Sequence, residues 1–214
     1  MVSGQANLSS QHDPHKVRRY RDMHGHTIAR LLPGDCYATD EDEVLDTVLG
    51  SCVAACVRCP RLHMGGMNHF MLPRASGGDV DSWSEVGGRI TRYGAAAMER
   101  LINLILRQGA RRDELEVKIF GGARVLATVS DIGDHNIRFV REYLAREGLK
   151  IAAEDVGDVY PRHVRYFART GRVRVRHLGS ASSRGVGARE AKLLDALDTE
   201  PVAGAIDLFT DRKA

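Results

Sequence analysis

Read for hydrophobic and polar positions, the chain divides into a polar start, a long patterned body and a polar end. Ser, Gln, His and Asp dominate residues 1 to about 25, where no apolar position repeats at a useful period. That predicts a flexible N-terminal segment over 1–27. From there "VLDTVLGSCVAACV" is β-branched and small, the pattern of a strand buried on both faces and interrupted by Gly50. "MGGMNHFMLP" is a second apolar stretch, entered through Gly65 and Gly66 and stopped by Pro73. After the polar "SGGDVDSWSEVGG", a helix is predicted where Ile90, Ala97, Leu101, Leu104 and Ile105 recur at helical spacing up to Gly109.

"LEVKIF" alternates as a strand should and ends at Gly121-Gly122. "HNIRFVREYLAREG" is amphipathic through Ile137, Val140 and Leu144, with Asn136 placed as its N-cap and Gly148 closing it. "LKIAAEDV", "HVRYFA" and "RVRVRHL" read as further strands. "GSASSRGVGARE" (Gly179 to Glu190) reads as a linker, and Leu193, Leu194 and Leu197 then space as a short helix. Strands and helices interleave. The expected fold is therefore a single α/β (α+β) domain over 28–178, a mixed β-sheet packed with helices in a three-layer, sandwich-like arrangement, followed by a linker and tail over 179–214.

Composition changes this picture little. The 214 residues suffice for one well-packed domain, and 43% hydrophobic with 28% charged residues is ordinary for a globular chain. A net charge of +3 does not by itself imply nucleic acid. The arginines of "RVRVRH" alternate with Val173 and Val175, which makes them a solvated strand face; without interleaved aromatic residues no nucleic-acid partner is expected. No apolar run approaches the roughly 20 residues that span a bilayer, so no membrane insertion is expected. The N-terminus lacks the apolar core of a signal peptide, which predicts a cytoplasmic protein with reduced thiols.

That compartment matters because "GSCVAACVRCP" (Gly50 to Pro60) holds three of the four cysteines. Cys52, Cys56 and Cys59 match the C-x3-C-x2-C spacing of an iron–sulfur cluster, but a strand would hold Cys52 and Cys56 about 13 Å apart. Cys56-x2-Cys59-x3-His63 matches no familiar zinc finger. Cys56 and Cys59 then read as small buried residues, and neither metal nor cofactor is expected. Cys52 differs: it follows Gly50-Ser51, where backbone N–H groups can turn toward an incoming oxygen. His69 stands on the next apolar stretch, and adjacent strands can bring a Cys of one within hydrogen-bonding reach of a His of the next. Two unrelated buried side chains are the alternative reading.

"LGSCVAACV" followed by "GGMNHFMLP" resembles the CheD family, bacterial chemoreceptor glutamine deamidases. "KIFGGA" (Lys118 to Ala123), "DIGDHNIRFVREYLAREGLKIAAEDVG" (Asp131 to Gly157) and "GRVRV" (Gly171 to Val175) extend the likeness in the same order. The resemblance implies a cysteine hydrolase that converts receptor glutamines to glutamates, with chemoreceptors as protein substrate. It implies Cys52 as nucleophile, His69 as base and Thr47 as the third member. It also raises a CheC-type phosphatase as a partner. Around the triad, Ser51 and Gly50 are expected to supply oxyanion donors and Asn68 a contact to substrate. The competing class is a non-catalytic chemotaxis adaptor that docks receptors or a CheC-type phosphatase.

Overall fold

The structure is a computed structural model, and it describes residues 17–74, 89–125 and 131–199. The polar "SGGDVDSWSEVGG" lies outside these residues. Two adjacent five-stranded sheets form the framework. The first contains β1 (Arg18–Arg21), β2 (Thr27–Arg30), β4 (Glu43–Leu49), β9 (Arg162–Phe167) and β10 (Arg172–His177), side by side in that order. The second runs β3 (Cys36–Thr39), β6 (Met64–Asn68), β5 (Val53–Cys59), β7 (Glu116–Gly121) and β8 (Ile151–Val156). Pairings are antiparallel except β2 with β4 and β7 with β8. The helices are α1 (Arg89–Leu106), α2 (Ile132–Arg146), which connects the parallel β7 and β8, and α3 (Ser180–Thr199).

Strand alternation builds two cores. In β5, Val53, Ala55, Val57 and Cys59 face α1 and α2, among Met98, Leu101, Ile105, Val140 and Leu144. Ala54 and Cys56 point the other way, into a cluster with Leu45, Leu49, Val164 and Tyr166 of the first sheet. A strand buried on both faces reads as continuously apolar, and β5 is such a strand because it lies between these two layers. The layers are therefore sheet, sheet and helices. The mixed α/β architecture is as expected, with the strands divided between two sheets rather than gathered in one.

That division corrects the reading of "VLDTVLGSCVAACV" as one interrupted strand. β4 belongs to the first sheet and β5 to the second, and Gly50–Cys52 is the step between them. The ends also differ from expectation. Within the segment expected to be flexible, Arg18–Arg21 forms β1, paired with β2 through the register Arg18 to Arg30. The expected linker is the first half of α3. Two glycines argue locally against a helix there, but Gly187 is buried and an added Cβ would stand 2.9 Å from the Val125 carbonyl oxygen. Close tertiary approach, rather than flexibility, uses that glycine.

Val173 and Val175 pack toward the inter-sheet core while Arg172, Arg174 and Arg176 remain exposed, as the alternation predicted. No described helix is long and apolar enough to cross a membrane.

Candidate active site

The step between the sheets leaves a loop of three residues whose carbonyls are all tied down from behind. Ala123 N–H donates to the Gly50 carbonyl at 2.7 Å and Gly122 N–H to the Cys52 carbonyl at 2.8 Å. Asn136 Nδ2 donates to the Ser51 carbonyl at 2.8 Å. With the carbonyls held on one side, the N–H groups of Gly50, Ser51 and Cys52 converge on the other. Such a run of backbone donors is an anion-binding concavity. Gly121, at φ 110°, makes the anchor possible, because a Cβ there would lie 2.1 Å from the Cys52 carbonyl oxygen.

The concavity is filled by the carboxylate of Glu190, from α3. Its Oε1 accepts from Gly50 N at 2.9 Å and Cys52 N at 3.3 Å. Its Oε2 accepts from Ser51 N and Ser51 Oγ, each at 2.7 Å. An added Cβ on Gly50 would stand 2.5 Å from Oε2, so only glycine leaves room for the carboxylate.

His69 follows β6 and is fixed by backbone bonds: its N–H donates to the Asp35 carbonyl, and its own carbonyl accepts from Gly34 N–H. Thr47, at the buried centre of β4, places its hydroxyl 2.8 Å from His69 Nδ1 and 2.9 Å from the Leu31 carbonyl oxygen. The hydroxyl proton goes to the carbonyl, which can only accept. The hydroxyl oxygen then accepts from Nδ1–H, and the lone pair of neutral imidazole is left on Nε2. Nε2 is buried without a hydrogen-bond partner. Cys52 Sγ, a His69 ring nitrogen and a Glu190 carboxylate oxygen lie within 4.8 Å of one another.

Electrostatically, this is a covered site. Burial drives the Cys52 thiol well above its ordinary range, and the Glu190 charge pushes it the same way. Burial lowers His69 to about 4, opposed by the Glu190 charge and the Leu31 carbonyl. The resting pair is therefore neutral thiol and neutral imidazole, not a thiolate–imidazolium pair. Removing water penalises both charged forms, and a nearby anion adds to the penalty on the thiolate.

Of the residues expected at the site, Cys52, His69, Thr47, Ser51 and Gly50 are brought together. Asn68 is not. Its Oδ1 accepts from Ala55 N–H and its Nδ2 donates to the Ala97 carbonyl, so it ties β6 to β5 and α1. Its position on the strand alternates away from the thiol. Asn136 is not a helix cap: it lies inside α2, fully buried, with Asp131 at the cap. There it supports the Gly50–Cys52 loop and also accepts from Leu72 N–H at 2.9 Å. Glu190 escaped sequence reading altogether, since it stood in the expected linker.

Cys56 and Cys59 face opposite cores, so the three clustered cysteines do not converge. Among the described residues, Cys52, His69 and Glu190 form the one group with metal-ligand proximity. Both Glu190 oxygens are already directed at loop donors, which leaves the carboxylate poorly placed to share a cation.

A two-sheet, mixed α/β fold with a cysteine, an oriented histidine and an anion cradle defines a thiol-hydrolase type of site. The chain belongs to the CheD family. The family model described as CheD chemotactic sensory transduction matches residues 71–177. A probable chemoreceptor glutamine deamidase CheD of Halorhodospira halophila is 48% identical over 195 residues, covering 90% of each chain. Probable chemoreceptor glutamine deamidases CheD of Rhodopseudomonas palustris and Hydrogenovibrio crunogenus are 47% and 45% identical, covering 94% and 86% of this chain and 93% and 95% of theirs. A solved structure, the Bacillus licheniformis hypothetical protein YfiH, aligns over 58% of this chain and 49% of its own at 18% identity, with a TM-score of 0.35, too loose a likeness to support any inference.

Proposed function

We propose that this protein hydrolyses side-chain amides of selected chemoreceptor glutamines to glutamates, with Cys52 as nucleophile, His69 as base and Thr47 as the residue that orients it. One observation carries the reading: the donors beside Cys52 and His69 hold a glutamate carboxylate, the chemical group this reaction produces.

A primary amide is a poor electrophile, so the thiol must be deprotonated as it attacks. His69 Nε2 takes the Cys52 proton and Sγ bonds to the amide Cδ. The carbonyl oxygen becomes an oxyanion cradled by the backbone donors, each worth about 3 kcal/mol of barrier in comparable sites. The imidazolium returns its proton to the amide nitrogen, ammonia leaves, and a thioester remains. Water, deprotonated by the same Nε2, attacks the thioester; glutamate and the Cys52 thiol are released. Thr47 keeps Nδ1 protonated throughout, so that Nε2 is always the atom that exchanges protons.

The test is mass spectrometry of receptor cytoplasmic fragments after incubation with wild-type protein and with Cys52→Ala. Conversion of glutamine to glutamate by wild type alone is expected. Receptor binding without conversion by either would make the protein an adaptor instead. A CheC-type phosphatase remains a partner within this reading, to be sought by co-purification. A cytoplasmic location, where the receptor substrates present their signalling regions, belongs to the same reading.

A further inference from the structure

The Glu190 carboxylate is not a casual contact. It accepts four hydrogen bonds from the very groups that would stabilise the reaction's oxyanion. It reaches them from a helix 138 residues further along the chain than Cys52. Val186, Glu190 and Leu194 recur every fourth residue, which aligns them on one face of α3. All three are buried, and Leu194 enters the core between the sheets. Gly187, one turn before Glu190, lets the helix approach the Val125 backbone. At the far end Arg74 pairs with Asp195 and Asp198. Most other described positions of α3 are exposed or half-buried. Ala191, Leu193 and Leu197 pack, partly buried, against the same core. The helix is thus held along one side by apolar contacts, one carboxylate and a solvent-facing ion pair, a hold that a substrate helix must displace.

We propose that α3 occupies the seat of the substrate as an intramolecular product mimic: the site accepts a glutamine presented from the face of an α-helix, and Glu190 sits where the deamidated side chain would be left. This rests on the deamidase reading above and extends it to substrate form and to regulation. The substrate helix would need a small residue about one turn before its glutamine, in the place of Gly187, and apolar residues one turn to either side, in the places of Val186 and Leu194. Activity requires α3 to leave, because Cys52 and His69 are buried while it is seated. A carboxylate satisfies all four donors, whereas an amide would turn its NH2 toward at least one of them. Product therefore holds the seat better than substrate, and the resting chain is closed.

A direct consequence is that the chain becomes its own substrate when residue 190 is glutamine. In Glu190→Gln, Cys52 Sγ would attack Cδ of the new side chain, the amide nitrogen would leave as ammonia with a proton from His69, and water would release the thioester as glutamate. The experiment is peptide mass spectrometry of freshly purified Glu190→Gln protein over time. The expected result is a gain of about 1 Da at position 190, from NH2 replaced by OH, at a rate independent of protein concentration. It should be absent in Glu190→Gln combined with Cys52→Ala. No conversion at 190 overturns the proposal; the deamidase reading is decided separately, by whether wild-type protein converts receptor glutamines.

Receptor turnover supplies a second measurement. Glu190→Ala should convert receptor fragments at least about tenfold faster than wild type, because the competent open state is no longer rare. Its Cys52 should also be alkylated faster at neutral pH. Wild-type rates in both assays, from a protein of unchanged fold, would show that α3 does not close the site.

Discussion

Replacing Thr47 with valine keeps the branched shape of a fully buried side chain and deletes one hydroxyl that serves two partners, His69 Nδ1 at 2.8 Å and the Leu31 carbonyl at 2.9 Å. Both partners are left unpaired in a dry site, and each buried orphan costs about 1–3 kcal/mol. A stability loss of about 2–4 kcal/mol is expected, a large share of a domain's total. The catalytic effect is separate. Without an acceptor at Nδ1, neutral imidazole is free to carry its proton on Nε2, where it faces Cys52 as a donor and cannot take the thiol proton. A loss of about a hundredfold in kcat follows, equivalent to about 2.7 kcal/mol, with KM little changed because Thr47 does not meet the substrate. The assay is receptor-fragment conversion at saturating substrate, below the variant's melting range, with Thr47→Ser alongside. Serine restores the hydroxyl and should recover most of the rate. A Thr47→Val enzyme with wild-type kcat would refute the orienting role, and so would a Thr47→Ser enzyme as slow as valine.

His69 and Gly121 provide two further tests. Because burial lowers His69 to about 4, the unfolded chain binds a proton between pH 6.5 and pH 4 that the folded chain does not. Stability should fall as pH drops through that window, by about 3 kcal/mol in all, and denaturant titrations of His69→Gln against wild type should lack this component. In Gly121→Ala the new Cβ would stand 2.1 Å from the Cys52 carbonyl, at a φ of 110° that alanine also disfavours. The Gly50–Cys52 loop must shift, and receptor conversion should fall by at least tenfold together with a lowered melting temperature; an unchanged rate would mean that the loop's anchoring is not needed.

What could be read locally was local in its physics. Side chains alternate along a strand whatever it pairs with, so "LEVKIF" and "RVRVRH" announced β7 and β10 from their own residues. Helical spacing did the same for Leu101, Leu104 and Ile105 of α1. Cys52 and His69 were legible because each follows glycines in a short apolar stretch; Thr47 entered only through the family resemblance, since it lies on β4 of the other sheet. The split of "VLDTVLGSCVAACV" between two sheets was not legible, because an apolar run looks the same whether its two halves share a sheet or face one another across a core.

Two polar side chains mark the limit most clearly. Asn136, at the edge of an amphipathic stretch, has the composition of a helix cap; only the packing of α2 beneath the loop makes it the donor to Ser51. Glu190 follows serines and glycines that individually favour flexibility, and the helical spacing of Leu193, Leu194 and Leu197 after it says nothing of burial for a carboxylate. Its role depends on four donors that lie about 140 positions away and become donors to it only when two sheets, a helix and a glycine corner have brought them to a point. Periodicity and motif determined most of the elements, the candidate pair Cys52 and His69, and the family. The anion cradle, the neutral resting state of the thiol and the closure by α3 were decided by tertiary structure, because hydrogen-bond partners, burial and electric field are properties of what surrounds a residue in space and not of its neighbours along the chain.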